Sequence, residues 1–195
     1  MKKQVFSAEG VKIDPHKSNS QALQLQSVSL NSTGYYICEV NTDSPPFKAV
    51  KGEAYMEVIE PPRDEPKITG EEKIYATGDI LALNCTSGFS YPAARLQWFI
   101  NNVPIDPDSE VLHLSSRGLH STRSSLRLEL YPLHIADGRI EVKCVSLVTT
   151  SPLVRTPFVD TRTTKIYVQG HGNLLSASLS LLLINLLQHL LLKRD

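Results

Sequence analysis

Apolar and polar residues alternate along most of the chain. Val11-Lys12-Ile13 and Ala22-Leu23-Gln24-Leu25-Gln26 have a period of two, and Tyr35-Tyr36-Ile37-Cys38 follows after Gly34. The same spacing returns at Ile80-Leu81-Ala82-Leu83, at Leu126-Arg127-Leu128-Glu129-Leu130 and at Ile140-Glu141-Val142-Lys143-Cys144. A period of two puts every second side chain on one face of a strand, so the chain reads as all-β. Strands are expected near 79–86, 94–100, 109–114, 124–131, 139–147 and 162–168. Glu60-Pro61-Pro62-Arg63-Asp64-Glu65-Pro66 interrupts the pattern as a stiff, charged connector. It divides the chain into a first unit (1–60), a linker (61–66) and a second unit (67–169), with a tail over 170–195.

The two units resemble each other. Leu126, Leu128, Leu130 and Leu133 precede Cys144 much as Leu23, Leu25 and Val28 precede Cys38, and Asp137 lies as far before Cys144 as Asn31 lies before Cys38. Weak tandem similarity of this kind implies one architecture used twice.

Cys85 and Cys144 fall on separate strands, and Trp98 falls on a strand soon after the first of them. That order marks an immunoglobulin sandwich, in which a disulfide joins the sheets and an indole fills the flat apolar space beside it. Closing a loop of this length contributes about 4 kcal/mol in the chain-entropy account. Two reduced core cysteines would leave the intervening tryptophan unexplained. In the first unit, Tyr36 stands two residues before Cys38, the position of the tyrosine corner that opens strand F. Counted back from there, residues 1–60 supply strands D to G only. The strand B cysteine that would pair with Cys38 and the strand C tryptophan are both missing. Either the chain starts inside a domain or Cys38 is a free thiol. Tandem immunoglobulin-like sandwiches, the first incomplete, are the fold expected.

Charge adds little, because 20 basic and 20 acidic side chains in 195 residues cancel. There is no electrostatic footprint for nucleic acid. Nor is there a catalytic constellation. His16, His113, His120, His134, His171 and His189 are scattered, with no metal-ligand spacing. Asp106, Asp108 and Glu110 alternate but lack the glycine and distal glutamate of a calcium loop, which makes them a solvated turn. The reading is of a binding protein with no cofactor, metal or small-molecule substrate.

The ends bear on address. No apolar run long enough for a secretory signal follows Met1. Leu174 to Leu192 is almost all Leu, Ile, Ser and Ala and precedes Lys193-Arg194-Asp195. It is expected to be a hydrophobic helix, serving as the cleaved signal for a GPI anchor or, second, as a transmembrane segment. Either attaches the sandwiches to the outer face of the plasma membrane. Asn31-Ser32-Thr33 and Asn84-Cys85-Thr86 are acceptor triplets for N-glycosylation, with Asn84 pointing opposite to the inward Cys85.

Asn31-Ser32-Thr33-Gly34-Tyr35-Tyr36-Ile37-Cys38-Glu39-Val40, Ser44-Pro45-Pro46-Phe47 and Gly52-Glu53-Ala54-Tyr55-Met56 resemble the F strand, F–G loop and G strand of the insect beaten path family. Pro66-Lys67-Ile68-Thr69-Gly70, Asn84-Cys85-Thr86-Ser87-Gly88 and Leu96-Gln97-Trp98-Phe99-Ile100-Asn101 resemble the opening of its second domain. The similarity runs from about residue 5 to about residue 147. It implies a surface recognition protein of the developing nervous system, active in axon guidance and defasciculation, whose partners are surface proteins of the sidestep family. In that family the sheet of strands G, F and C in the first, variable-type domain binds the partner. Tyr35, Phe47 and Lys48, near the F–G loop, are then the candidate contacts. Homophilic adhesion, a shed soluble module and a non-functional truncated product are the alternatives.

Overall fold

A computed structural model describes residues 10–171. In the first unit β1 (Lys12–Ile13) pairs with β2 (Leu25–Gln26), and β3 (Gly34–Asn41) pairs with β4 (Ala49–Met56). Both pairs are antiparallel and each stands as its own two-stranded sheet. A short 3-10 turn, Leu30–Ser32, leads into β3.

The second unit is a sandwich. Its strands are β5 (Lys67–Thr69), β6 (Ile74–Ala76), β7 (Ile80–Thr86), β8 (Arg95–Ile100) and β9 (Val103–Ile105), then β10 (Ser109–Leu114), β11 (His120–Glu129), β12 (Arg139–Thr149) and β13 (Val159–His171). One sheet has the order β10-β11-β7-β5 and the other β6-β13-β12-β8-β9. All neighbours are antiparallel except β6 and β13.

The alternation in sequence becomes the alternation of burial. Leu81, Leu83 and Cys85 on β7 meet Ile140, Val142 and Cys144 on β12, with Leu96, Trp98 and Ile100 from β8 beside them. Arg127, Glu129 and Arg95 occupy the intervening outward positions. Cys85 and Cys144 are joined across the two sheets. The Trp98 indole packs in this core, and its Nε1–H donates to Ser124 Oγ at 3.0 Å.

Several elements differ from those read in the sequence. β5, β6 and β9 are three residues long, too short to show a period. The β8–β9 hairpin turns on Asn101 and Asn102, with φ of 49° and 66°, the left-handed pair that a two-residue hairpin needs and that asparagine tolerates. Asn101 also ties the turn inward, its Nδ2 donating to His134 C=O at 2.8 Å and its Oδ1 accepting from Glu141 N–H at 2.9 Å. β11 begins at His120, four residues before the expected start at 124, because backbone pairing with β10 and with Ser90 organises a stretch that has no apolar alternation. Glu110 belongs to β10 and not to a turn. β13 runs through His171, so residues 170 and 171 belong to the sheet and not to a tail. Among the described residues there is no α-helix, and no helix long and apolar enough to cross a membrane. The expected hydrophobic helix lies outside the described residues.

The linker is packed down. Glu60 and Tyr91 exchange two backbone hydrogen bonds of 2.8 Å. Pro62 is fully buried, and a Cβ at Gly88 would lie 3.0 Å from Pro62 Cβ and 3.2 Å from Asp64 O. Arg162 Nη1 donates to Arg63 C=O at 2.9 Å, and Ser151 N–H donates to Glu57 Oε2 at 2.7 Å. The proline-rich connector is therefore a strap held by β13 and two loops of the second unit.

Candidate recognition site

The β3–β4 ribbon sets the site. In register, Tyr35 faces Tyr55, Ile37 faces Glu53 and Glu39 faces Lys51, all on one side of the ribbon. The other side carries Tyr36, Cys38 and Val40 against Ala54, Gly52 and Val50. Tyr36 Oη donates to Ser32 C=O at 2.7 Å, a hydrogen bond that ties the start of β3 to the preceding turn. Thr33 Oγ1 accepts from Val58 N–H at 3.0 Å and holds the far end of β4 against the same turn.

On the first side Tyr35 and Tyr55 are tilted against each other with centroids 5.0 Å apart, a spacing at which aromatic pairs attract. The Lys51 ammonium lies 3.0 Å from Glu39 Oε2 and holds that carboxyl below the ordinary carboxylate range. Burial pushes the Tyr55 phenol up, with a smaller contribution from the nearby Glu57 carboxylate. A cleft of about 340 Å³ opens beside this end of the ribbon, lined by Tyr35, Glu53 and Tyr55 and by Leu153, Val154 and Arg155 of the β12–β13 loop.

The loop between the strands is closed by Thr42. Its N–H donates to Lys48 C=O at 3.0 Å, and its Oγ1 accepts from Lys48 N–H at 2.8 Å. The closure projects Phe47, 75% exposed, and leaves Lys48 exposed beside it. Tyr35, 56% exposed, is at the opposite end of β3, about 20 Å away at strand rise. The three candidate contacts therefore do not form one cluster. Phe47 and Lys48 share the tip, and Tyr35 belongs with Tyr55 at the cleft. Ile37, exposed between them on the same side, escaped the sequence reading. Its signal was the step of two from Tyr35, on the side opposite Cys38.

The other side is incomplete. β3 and β4 pair as β12 and β13 do, and Cys38 stands in β3 where Cys144 stands in β12. β12 has a second neighbour, β8, with Trp98 opposite Cys144. No strand of the described residues takes that place beside β3. Cys38, Val40 and Val50 are exposed, and Cys38 has no disulfide partner among the described residues. Of the two acceptor asparagines, Asn31 is exposed, whereas Asn84 is half-buried in β7 and its Oδ1 accepts from Ser125 Oγ at 2.8 Å. Among the described residues no three His, Cys, Asp or Glu side chains gather as a metal site would need.

Residues 65–145 match the family model of the CD80-like C2-set immunoglobulin domain. That match covers most of the second unit. Human Cell adhesion molecule 1 is 30% identical over 129 residues, which are 65% of this chain and 26% of that protein. Cell adhesion molecule 2 of Xenopus tropicalis is 33% identical over 104 residues, 53% of this chain and 23% of its own length. The chain thus spans about a quarter of the length of the curated relatives it matches. Among solved structures, bovine butyrophilin superposes with a TM-score of 0.57 at 17% identity, covering 82% of this chain and 68% of that one. That likeness shows the immunoglobulin-like sandwich fold. The second unit holds the closed disulfide core, and the ribbon ahead of it carries the exposed aromatic side.

Proposed function

We propose that this chain serves cell-surface recognition, through contact with a different immunoglobulin-superfamily protein on a neighbouring cell. The observation that carries this reading is the similarity to proteins named cell adhesion molecules over 129 residues, a stretch longer than the C2-set match. The exposed side of β3–β4 supports it, since Tyr35, Ile37 and Phe47 offer the apolar anchors that centre a protein interface. Axon guidance and defasciculation are the proposed setting, with a sidestep-type surface protein as partner, on the strength of the beaten path resemblance. Strands B and C of the first domain would come from sequence preceding this segment in a longer form, and their cysteine would pair with Cys38. A GPI anchor from the 174–192 run and N-glycans on Asn31 and Asn84 complete the reading.

The test is binding of soluble sidestep-family ectodomains to cells that display the protein. Phe47→Ala and Tyr35→Ala are expected each to weaken binding by about tenfold, as hot-spot truncations do. Undiminished binding by both variants would move the contact elsewhere. Release by a phosphoinositide-cleaving phospholipase distinguishes the anchor from a transmembrane helix, and a glycosidase mobility shift counts the glycans.

A further inference from the structure

We propose that β10 is a seat of side-by-side association between two copies of this chain. The proposal goes beyond the contact with a different partner and does not depend on it.

β10 ends the four-stranded sheet, and its neighbours fix which backbone groups are spare. His120 exchanges two hydrogen bonds of 2.8 Å with Ser90, and Thr122 C=O accepts from Ser87 N–H at 2.9 Å. The even-numbered residues at the start of β11 thus turn away from β10, and Ser121, Arg123 and Ser125 turn toward it. With Val111 opposite Arg123 and His113 opposite Ser121, the groups of Ser109, Val111 and His113 are the ones that serve β11. The N–H and C=O of Glu110, Leu112 and Leu114 point off the open edge, with no backbone partner among the described residues.

The side chains there are apolar and uncovered. Leu112 and Leu114 lie on the inward side, in register with buried Thr122 and half-buried His120, yet they are 58% and 69% exposed. Val111 on the outward side is 52% exposed. Edge strands are usually guarded by proline, lysine or a bulge. β9, at the edge of the other sheet, has Pro104, whereas β10 has no proline and no lysine, carries Glu110 as its single charged residue, and has a ladder unbroken over six pairs.

Charge selects the occupant. Asp106, Asp108 and Glu110 stand at the start of the strand and Arg117 stands in the turn after it, all exposed. An antiparallel dyad centred on Leu112 pairs Leu112 with itself, Glu110 with Leu114 and Val111 with His113, and every spare backbone group of one copy meets one of the other. It sets Arg117 of each copy at the level of Asp106 and Asp108 of the second copy, with no like charges directly opposed. The two Leu112 side chains then meet, and each Leu114 lies diagonal to Leu112 of the other copy. A parallel approach would set acid against acid. The polarity of this one strand therefore matches a second copy reversed.

The experiment uses the full chain in detergent, with Cys38→Ser to remove the free thiol. Copies bearing Val111→Cys are mixed with copies bearing His113→Cys under mild oxidation, because a directly opposed pair without backbone bonds between them suits a disulfide. Covalent dimer is expected at about ten times the yield of either variant alone. Arg117→Asp is expected to lower that yield by about tenfold, and Asp106→Arg with Asp108→Arg in the same chain is expected to restore it. Sedimentation without added cysteines gives a second reading, in which the parent self-associates and Leu112→Lys does not. Three results would each overturn the proposal: mixed copies linking no better than single ones, linking indifferent to the charge swap, or a parent that stays monomeric. Wild-type circular dichroism in each variant shows that the sandwich is folded.

Discussion

At the scale of residues, the core of the second unit turns on a few polar atoms. The Trp98 N–H is buried, and Ser124 Oγ accepts its hydrogen bond. Ser124→Ala leaves the indole donor unpaired, and a loss of about 1–3 kcal/mol is expected in chemical denaturation. Ser146 is the reverse case. It faces inward on β12 and is buried, and its hydroxyl has no hydrogen-bond partner among the described residues. Ser146→Ala removes the unpaired group and is expected to raise stability by about 1 kcal/mol. A decrease on the same denaturation assay would mean that the hydroxyl is paired after all.

At the scale of elements, the strap and the outer face of the large sheet make separate demands. Gly88 sits where any Cβ meets Pro62 and Asp64. Gly88→Ala should therefore loosen the strap, seen as faster proteolysis between Glu57 and Arg63, while Gly52→Ala, with nothing within 4 Å of the added carbon, should not. On β12 and β13 the Lys165 ammonium lies 3.0 Å from Glu141 Oε1. That close ion pair lowers the Glu141 carboxyl against the opposing pull of desolvation, and the same contact raises the Lys165 ammonium. The folded carboxylate thus binds its proton less readily than the unfolded one. Its contribution is present above the ordinary carboxylate range and fades as pH falls through the lowered value. The lysine contribution is present below the ordinary ammonium range and fades as pH rises through the raised value. Glu141→Gln should flatten the acid side of the stability profile, and an unchanged acid limb would show that the pair contributes nothing.

These elements also show what the sequence could and could not reveal. β7, β8 and β12 were legible because one of their faces is buried throughout, which writes the period into the residues. β5, β6 and β9 were not, since three residues held by a neighbour need no period. The start of β11 was hidden in His120-Ser121-Thr122-Arg123, where hydroxyls do the packing: Thr122 Oγ1 donates to Ala94 C=O at 2.5 Å and Ser121 Oγ to Ser87 C=O at 2.7 Å. At the candidate site, Phe47 and Lys48 were found together because they are adjacent in the loop. Their separation from Tyr35 depends on strand length and could only be measured in space.

At the scale of the whole molecule, the two halves are held in different ways. The second unit closes on itself through Cys85 and Cys144, 59 residues apart, and losing that bond by a double Cys→Ala change should cost about 4 kcal/mol and leave the sandwich marginal. The first unit presents a ribbon with one apolar side open and Cys38 exposed, so its recognition side is expected to act when the strands that complete the domain accompany it. The most direct measurement is mixed cell aggregation. One population displays this protein with its first sandwich completed by strands B and C, and a second displays a sidestep-family ectodomain. The account predicts aggregates that contain both populations and that weaken with Phe47→Ala or Tyr35→Ala. Absence of mixed aggregates, or mixed aggregates untouched by both substitutions, would contradict it.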